Sequence, residues 1–196
     1  MTLKYPNGKA YNKQTLTTAR SRHTSNKQRG MTLEEDINTT IKYYREAGRA
    51  LIHKKPVPIQ VVNVNYPSRS RAKITEAYFR QPSTTDYHGI YRGRSIDFEA
   101  KETHSKTSFP FKNIHPHQVE HLKSVEAHGG IGCLIIGFDS SQEIYLVPAS
   151  IFIPKYEDQS QRKSLSIDLV RNEGVFIERS YAPPLKVLEA IDTLYF

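Results

Sequence analysis

Only one cysteine occurs among the 196 residues, Cys133, so no disulfide can close within the chain. It lies in the apolar run Ile131-Gly132-Cys133-Leu134-Ile135-Ile136, the setting of a buried core thiol rather than a catalytic nucleophile. No apolar run approaches the ~20 residues that a membrane span requires. The opening Met1-Thr2-Leu3-Lys4-Tyr5-Pro6-Asn7 lacks an apolar signal core, which argues against export. There is no Walker-type glycine-rich loop, no internal repeat and no coiled-coil pattern, so an ATP-driven reaction is not expected. Apolar content is a modest 37%, consistent with a soluble chain that leaves part of its length outside the core. A reducing cytoplasmic setting, without membrane contact, fits these absences. The length suits one domain with a real core plus arms or insertions.

Acidic residues are missing altogether from positions 1–30, which hold seven Lys or Arg. The segment is rich in Thr, Ser, Asn and Gln and cannot bury enough surface to offset its ordering entropy. It reads as a flexible basic arm able to order on DNA, with an inert tail as the alternative. The charge bias extends further. Residues 1–101 carry 19 Lys/Arg against 8 Asp/Glu, whereas residues 102–196 carry 9 against 12. A basic half on a near-neutral body points to a polyanion, most commonly nucleic acid; the plainer reading is a solubilising surface.

Thr32 followed by Glu35 forms a capping box ahead of Leu33, Ile37, Ile41 and Tyr44, predicting a helix that ends at Gly48. Glu34, Glu35 and Asp36 suit the positive end of that helix, and capping is the favoured role over reaching a metal site. A short strand follows over Ala50–His53. Pro58–Asn65 and Ala72–Phe79 are β-rich runs joined through Tyr66-Pro67-Ser68-Arg69-Ser70-Arg71, a long hairpin with a basic tip. Arg69, Arg71 and Lys73 at the tip offer cations to phosphates; a solvated turn is the competing reading. Further on, Phe109-Pro110-Phe111 and Ile114 call for an apolar partner. His115-Pro116-His117-Gln118 opens a helix with proline near its first turn. Ile131–Phe138 reads as a central strand, followed by Glu143–Val147. Ser150 is placed to cap a short helix, and Ser166–Arg171 reads as a helical turn. A C-terminal amphipathic helix carries Leu185, Leu188, Ile191 and Leu194.

The chemistry concentrates in residues 84–101, which reduce to the pattern D-x12-E-x-K at Asp86, Glu99 and Lys101. Arg92-Gly93-Arg94 reads as the turn between two short strands. Alternation sends Ile96 and Phe98 to a core and gathers Asp97, Glu99 and Lys101 on the other face. The turn folds Asp86 back beside Glu99. Two carboxylates suit Mg²⁺, a hard ion that takes few protein ligands and keeps water and substrate phosphate for the rest. A lysine two residues on is placed to orient the attacking water or to stabilise developing charge. A hairpin with an ordinary polar face is the competing reading. Gln118, at a helix start, is a further candidate to hydrogen-bond a metal, its water or a phosphate. His117 and His121 share a helix face, but zinc would lack an evident third ligand.

With these residues placed, the sequence resembles the RecU family of bacterial Holliday junction resolvases. The matching stretches are Arg29-Gly30-Met31, His53-Lys54-Lys55-Pro56, Ile59-Gln60-Val61-Val62, Glu76-Ala77-Tyr78-Phe79, Ser83-Thr84-Thr85-Asp86-Tyr87, Ile96-Asp97-Phe98-Glu99-Ala100-Lys101-Glu102-Thr103 and His115-Pro116-His117-Gln118. The resemblance implies an α/β, restriction-endonuclease-like core, a central mixed sheet flanked by helices, with a protruding β-hairpin stalk. The nuclease domain would occupy residues 31–196, with the stalk inserted at about 58–80. It further implies a homodimer and Mg²⁺-dependent nicking of four-way junctions, with Mn²⁺ as a substitute and 5′-phosphate ends as product. Metal positions fall on Thr84, Asp86, Glu99 and Gln118, and the transition-state stabiliser on Lys101. A strand-exchange recombinase and a branch-migration helicase are the expected protein partners, at the nucleoid. Two alternatives stay open. One is a related nuclease acting on ordinary duplex; the other is a non-catalytic junction-binding modulator of strand exchange.

Overall fold

The computed structural model describes residues 32–80, 82–158, 160 and 162–196. The chain divides into a unit of residues 1–30 and a unit Met31–Phe196, and every described element belongs to the second. The basic arm expected over residues 1–30 lies outside the described residues.

Helix α1 spans Leu33–Glu46 and starts where its capping box demands: the Thr32 hydroxyl accepts from the Glu35 amide, and Glu35 answers to the Thr32 amide. Leu33, Ile37, Ile41 and Tyr44 form its buried stripe. Gly48, at φ +65°, carries the chain out of the helix into β1, Leu51–Lys54. The acidic first turn is used within the fold. Glu34 pairs with Lys54, Glu35 closes the cap, and Asp36 pairs with Arg179.

Next come β2 (Ile59–Asn65) and β3 (Lys73–Phe79), which pair with one another in a separate two-stranded sheet. A 3-10 turn over Arg69–Arg71 forms the tip, and irregular register at Val61, Asn63 and Val64 twists the ribbon. Every residue of β2 is exposed. This ribbon stands off the main sheet as the protruding hairpin.

The main sheet has six strands in the order β1, β4 (Tyr87–Tyr91), β5 (Arg94–Thr103), β7 (Ile131–Phe138), β8 (Glu143–Pro148) and β10 (Val175–Phe176). All neighbours run antiparallel except β5 and β7, so the sheet is mixed. The β4–β5 turn places Arg92 and Gly93 both at positive φ, +48° and +78°, the primed turn that matches strand twist. Gly89 on β4 lies against β1 so closely that a Cβ would come 2.2 Å from the Leu51 carbonyl oxygen.

Strand β7 is buried at all positions, because both faces of the sheet are covered. Ile131, Cys133 and Ile135 pack with α1 and α5 (Val187–Tyr195). Leu134, Ile136 and Phe138 pack with α2 (Pro116–Ala127), α3 (Ala149–Glu157) and α4 (Ile167–Glu173). The mixed α/β core flanked by helices that the resemblance implies is therefore present.

Three details differ from the sequence reading. Ser150 does not cap α3: the helix begins at Ala149, with Pro148 in the cap position, and the Ser150 amide donates to Glu126 Oε1 at 3.1 Å. The two-residue β10 is too short to carry an alternation pattern. A small ribbon forms between β6 (Ser108–Pro110) and β9 (Ser164–Ser166), whose pairing partners lie far apart in sequence.

Candidate active site

The site is set by the register of one hairpin. Tyr87 lies opposite Phe98, so Asp86, one residue earlier, lies beside Glu99. The Asp86 amide donates to Glu99 Oε2 at 3.0 Å. The sequence reading put Glu99 on a polar strand face, and that face turns out to be covered: Glu99 is fully buried. Burial pushes its carboxyl above the ordinary range, helped by the Asp86 charge and opposed by Lys101 and the Asp86 amide. Lys101 Nζ sits 2.7 Å from Glu99 Oε1, at ion-pair distance but without hydrogen-bond alignment, so that oxygen has no hydrogen-bond partner.

Helix α2 brings the third part. The parallel β5–β7 connection starts α2 near the carboxyl end of β5. Pro116 occupies its first turn, and Gln118 Oε1 accepts from the His115 amide at 2.9 Å, closing a capping box. An open cleft of about 480 Å³ results, lined by Asp86, Lys101, His115, Pro116, His117 and Gln118. Three of the expected site residues thus share one cleft, and Glu99 joins them through Asp86 and Lys101. Thr84 stands two residues before Asp86, half-buried, with its hydroxyl donating to the Thr85 carbonyl at 3.3 Å. Arg69, Arg71 and Lys73 sit at the tip of the separate hairpin, exposed and without ion-pair partners among the described residues.

Two arrangements go beyond the sequence reading, which placed Asp97 only on the polar face of its strand. Asp97, on the same face of β5 as Glu99, is 2% exposed. Lys55 Nζ and His88 Nδ1 each lie 2.9 Å from its oxygens, and His121 Nε2 lies 2.8 Å away. Burial works to raise its carboxyl, but the bonds from His121, His88 and Lys55 outweigh it and hold the group below the ordinary range. Strand alternation signalled its face, and the hairpin register sets His88 opposite it; the partners from α2 and the end of β1 carry no local signal. The second feature is the histidine pair at the start of α2. The His115 and His117 rings stack, 5.5 Å between centroids and 9° apart in plane. His117 Nε2 is buried without a hydrogen-bond partner. Burial, then His115 and Lys101, lower its proton affinity, and Asp86 opposes them. A zinc site at His117 and His121 does not assemble: His121 is held by Asp97, and no three His, Cys, Asp or Glu side chains are grouped to hold a metal among the described residues.

A central mixed sheet between helical layers is the architecture of a restriction-endonuclease-like core. The family described as recombination protein U matches residues 28–193. A protein of Geobacillus kaustophilus named Holliday junction resolvase RecU is 50% identical over 198 residues, covering 100% of this chain and 99% of the relative. One of the same name from Bacillus thuringiensis is 48% identical over 200 residues, covering all of both chains. The chain belongs to the RecU family.

Proposed function

We propose that the chain is a Mg²⁺-dependent, structure-selective DNA endonuclease that resolves Holliday junctions by symmetric paired nicks in recombination and repair. The observation that carries this reading is the convergence of Asp86, Glu99, Lys101 and Gln118 at one cleft, in a chain whose full-length relatives are named junction resolvases.

The donor set fits a hard cation. Glu99 Oε1 is a buried carboxylate oxygen with no hydrogen-bond partner, and Asp86 is an exposed carboxylate beside it. Asp86 and Glu99 would hold the Mg²⁺, with Thr84 and Gln118 completing the shell directly or through water. Bound there, Mg²⁺ lowers the pKa of a water and neutralises phosphate charge. Lys101 orients the attacking water and stabilises the charge that develops on the phosphate. The first turn of α2 adds the positive end of a helix, favourable to the substrate anion. The products are 5′-phosphate and 3′-hydroxyl ends.

Junction choice must come from shape, because these groups act on any phosphodiester. The basic hairpin tip occupies the open centre of the junction, where phosphates crowd. A two-fold dimer supplies two sites for two symmetric cuts. No helix among the described residues is long and apolar enough to cross a membrane. The protein works at the nucleoid, with the recombinase and branch-migration helicase as partners.

The test is cleavage of a four-way junction and of a linear duplex of the same sequence, each with and without Mg²⁺. Paired nicks in the junction alone, dependent on the cation, are the expected result. Equal cutting of the duplex would make this a general nuclease, and tight junction binding without cutting would make it a binding protein.

A further inference from the structure

A second open cleft, of about 440 Å³, lies on the other side of the ridge formed by His115 and Pro116. The two residues line both clefts, so the second adjoins the first across that ridge. Its walls come from three places in the chain: Phe111 and Lys112 after β6, Tyr156 at the end of α3, and Lys163 before β9. Tyr156 is half-buried, and its ring meets Phe111 edge to face at 5.5 Å and 66°. Phe111 is 4% exposed and acts as the support rather than the contact surface. Lys112 and Lys163 are exposed and have no ion-pair partner among the described residues. Two acidic residues beside Tyr156 in sequence are engaged elsewhere. Glu157 pairs with Lys123 at 2.7 Å, and Asp158 accepts from the Ser160 amide at 3.3 Å.

A supported aromatic ring beside two unneutralised cations is the combination that holds a single-stranded nucleotide: the base stacks and the phosphate meets the ammonium groups. Nothing in the Mg²⁺ chemistry requires such a surface. A strand passing through the catalytic cleft would cross the His115–Pro116 ridge to reach it. We propose that this cleft seats a nucleotide next to the scissile phosphate, its base against Tyr156 and its phosphate on Lys112 and Lys163. The assignment rests on the nuclease reading and deepens it. The strand is held on both sides of the ridge, so the phosphate at Asp86 and Lys101 is positioned by contacts that do not take part in the chemistry. A base seated there also gives the enzyme a means of preferring certain bases beside the cut.

The experiment uses four-way junctions carrying 2-aminopurine singly at each of three positions on either side of the cut. They are bound by the full-length Asp86→Asn protein. One position beside the cut should be quenched by stacking, and adding Tyr156→Leu should restore its fluorescence while leaving the others unchanged. In the active protein, Lys112→Gln with Lys163→Gln, both at exposed positions that leave the fold intact, should raise KM for junction cleavage about tenfold with little change in kcat. A signal unmoved by Tyr156→Leu at every position, or a KM unmoved by the lysine pair, overturns the subsite. Cutting by the Asp86→Asn protein would instead sink the metal-site reading. The fluorescence comparison, repeated with Mg²⁺ withheld, would then still decide the subsite.

Discussion

Glu99 is a carboxylate standing where a core strand would ordinarily place an apolar side chain, opposite Leu134 on β7. Burying it raises the cost of its charge, and only Lys101, the Asp86 amide or a cation can offset that cost. Glu99→Gln or Asp86→Asn should lower junction cleavage by several orders of magnitude with binding retained, as read by gel cleavage and mobility shift. Lys101→Ala should reduce turnover about a hundred- to a thousand-fold at saturating Mg²⁺ without shifting the Mg²⁺ titration, since an ammonium does not ligate a cation. Asp97 has a different task. It ties β4, α2 and the end of β1 to one point through His88, His121 and Lys55. Asp97→Asn leaves Lys55 facing a neutral amide. The loss, measured by urea unfolding, should be a few kcal/mol, below the ~3–5 kcal/mol of a fully buried pair because Lys55 and His88 keep contact with water.

Among the elements, the β2–β3 ribbon is the least protected. A two-stranded hairpin is marginal in water, and this one is exposed along all of β2. Its tip concentrates Arg69, Arg71 and Lys73 without acidic neighbours, a form suited to phosphate rather than to packing. Each phosphate neutralised contributes roughly 0.9 to the salt slope on duplex DNA. Replacing the three by Ala should flatten the salt dependence of junction binding by roughly two to three units, while duplex binding falls less. Equal losses on junction and duplex would reduce the tip to a solvated turn. Helix α2, by contrast, is heavily committed: its first turn borders the proposed catalytic cleft, His121 grips Asp97, and Val119 and Leu122 enter the core.

For the whole molecule, one reporter sits at the centre of the sheet. Cys133 has no solvent exposure, and burial pushes its thiol well above the ordinary range, reinforced by Glu126 and Asp97. In the unfolded chain that thiol ionises near its ordinary pKa of about 8.5. The folded state therefore binds more protons above that pH, and stability falls as pH rises past it. Unfolding free energy measured from pH 7.5 to 9.5 should decline, and Cys133→Ala should flatten the decline even though it lowers stability through the cavity it leaves. Alkylation of Cys133 in the native protein should follow the rate of global opening, because the thiolate is the reactive form.

Local signals in the sequence determined α1 and its cap, the apolar β7 and a turn at Arg92-Gly93-Arg94, since each depends on neighbouring residues, and the D-x12-E-x-K pattern spans that turn. The approach of Asp86 to Glu99 was legible because a turn at Arg92-Gly93-Arg94 folds the hairpin back on itself; the structure tightened that turn to Arg92-Gly93, with Arg94 already in β5, and so fixed the register. Tertiary structure alone decided the rest. It covered the face of β5 that alternation marked as polar, because the β5–β7 crossover lays α2 over it. It gathered Lys55, His88 and His121 on Asp97, turned the start of α2 toward Lys101, and set Tyr156 and Lys163 beyond the His115 ridge. His88 reaches Asp97 through the hairpin register, but Lys55, His121, Tyr156 and Lys163 come from positions far off in sequence. Their meetings follow from how the layers pack, and packing depends on every element at once.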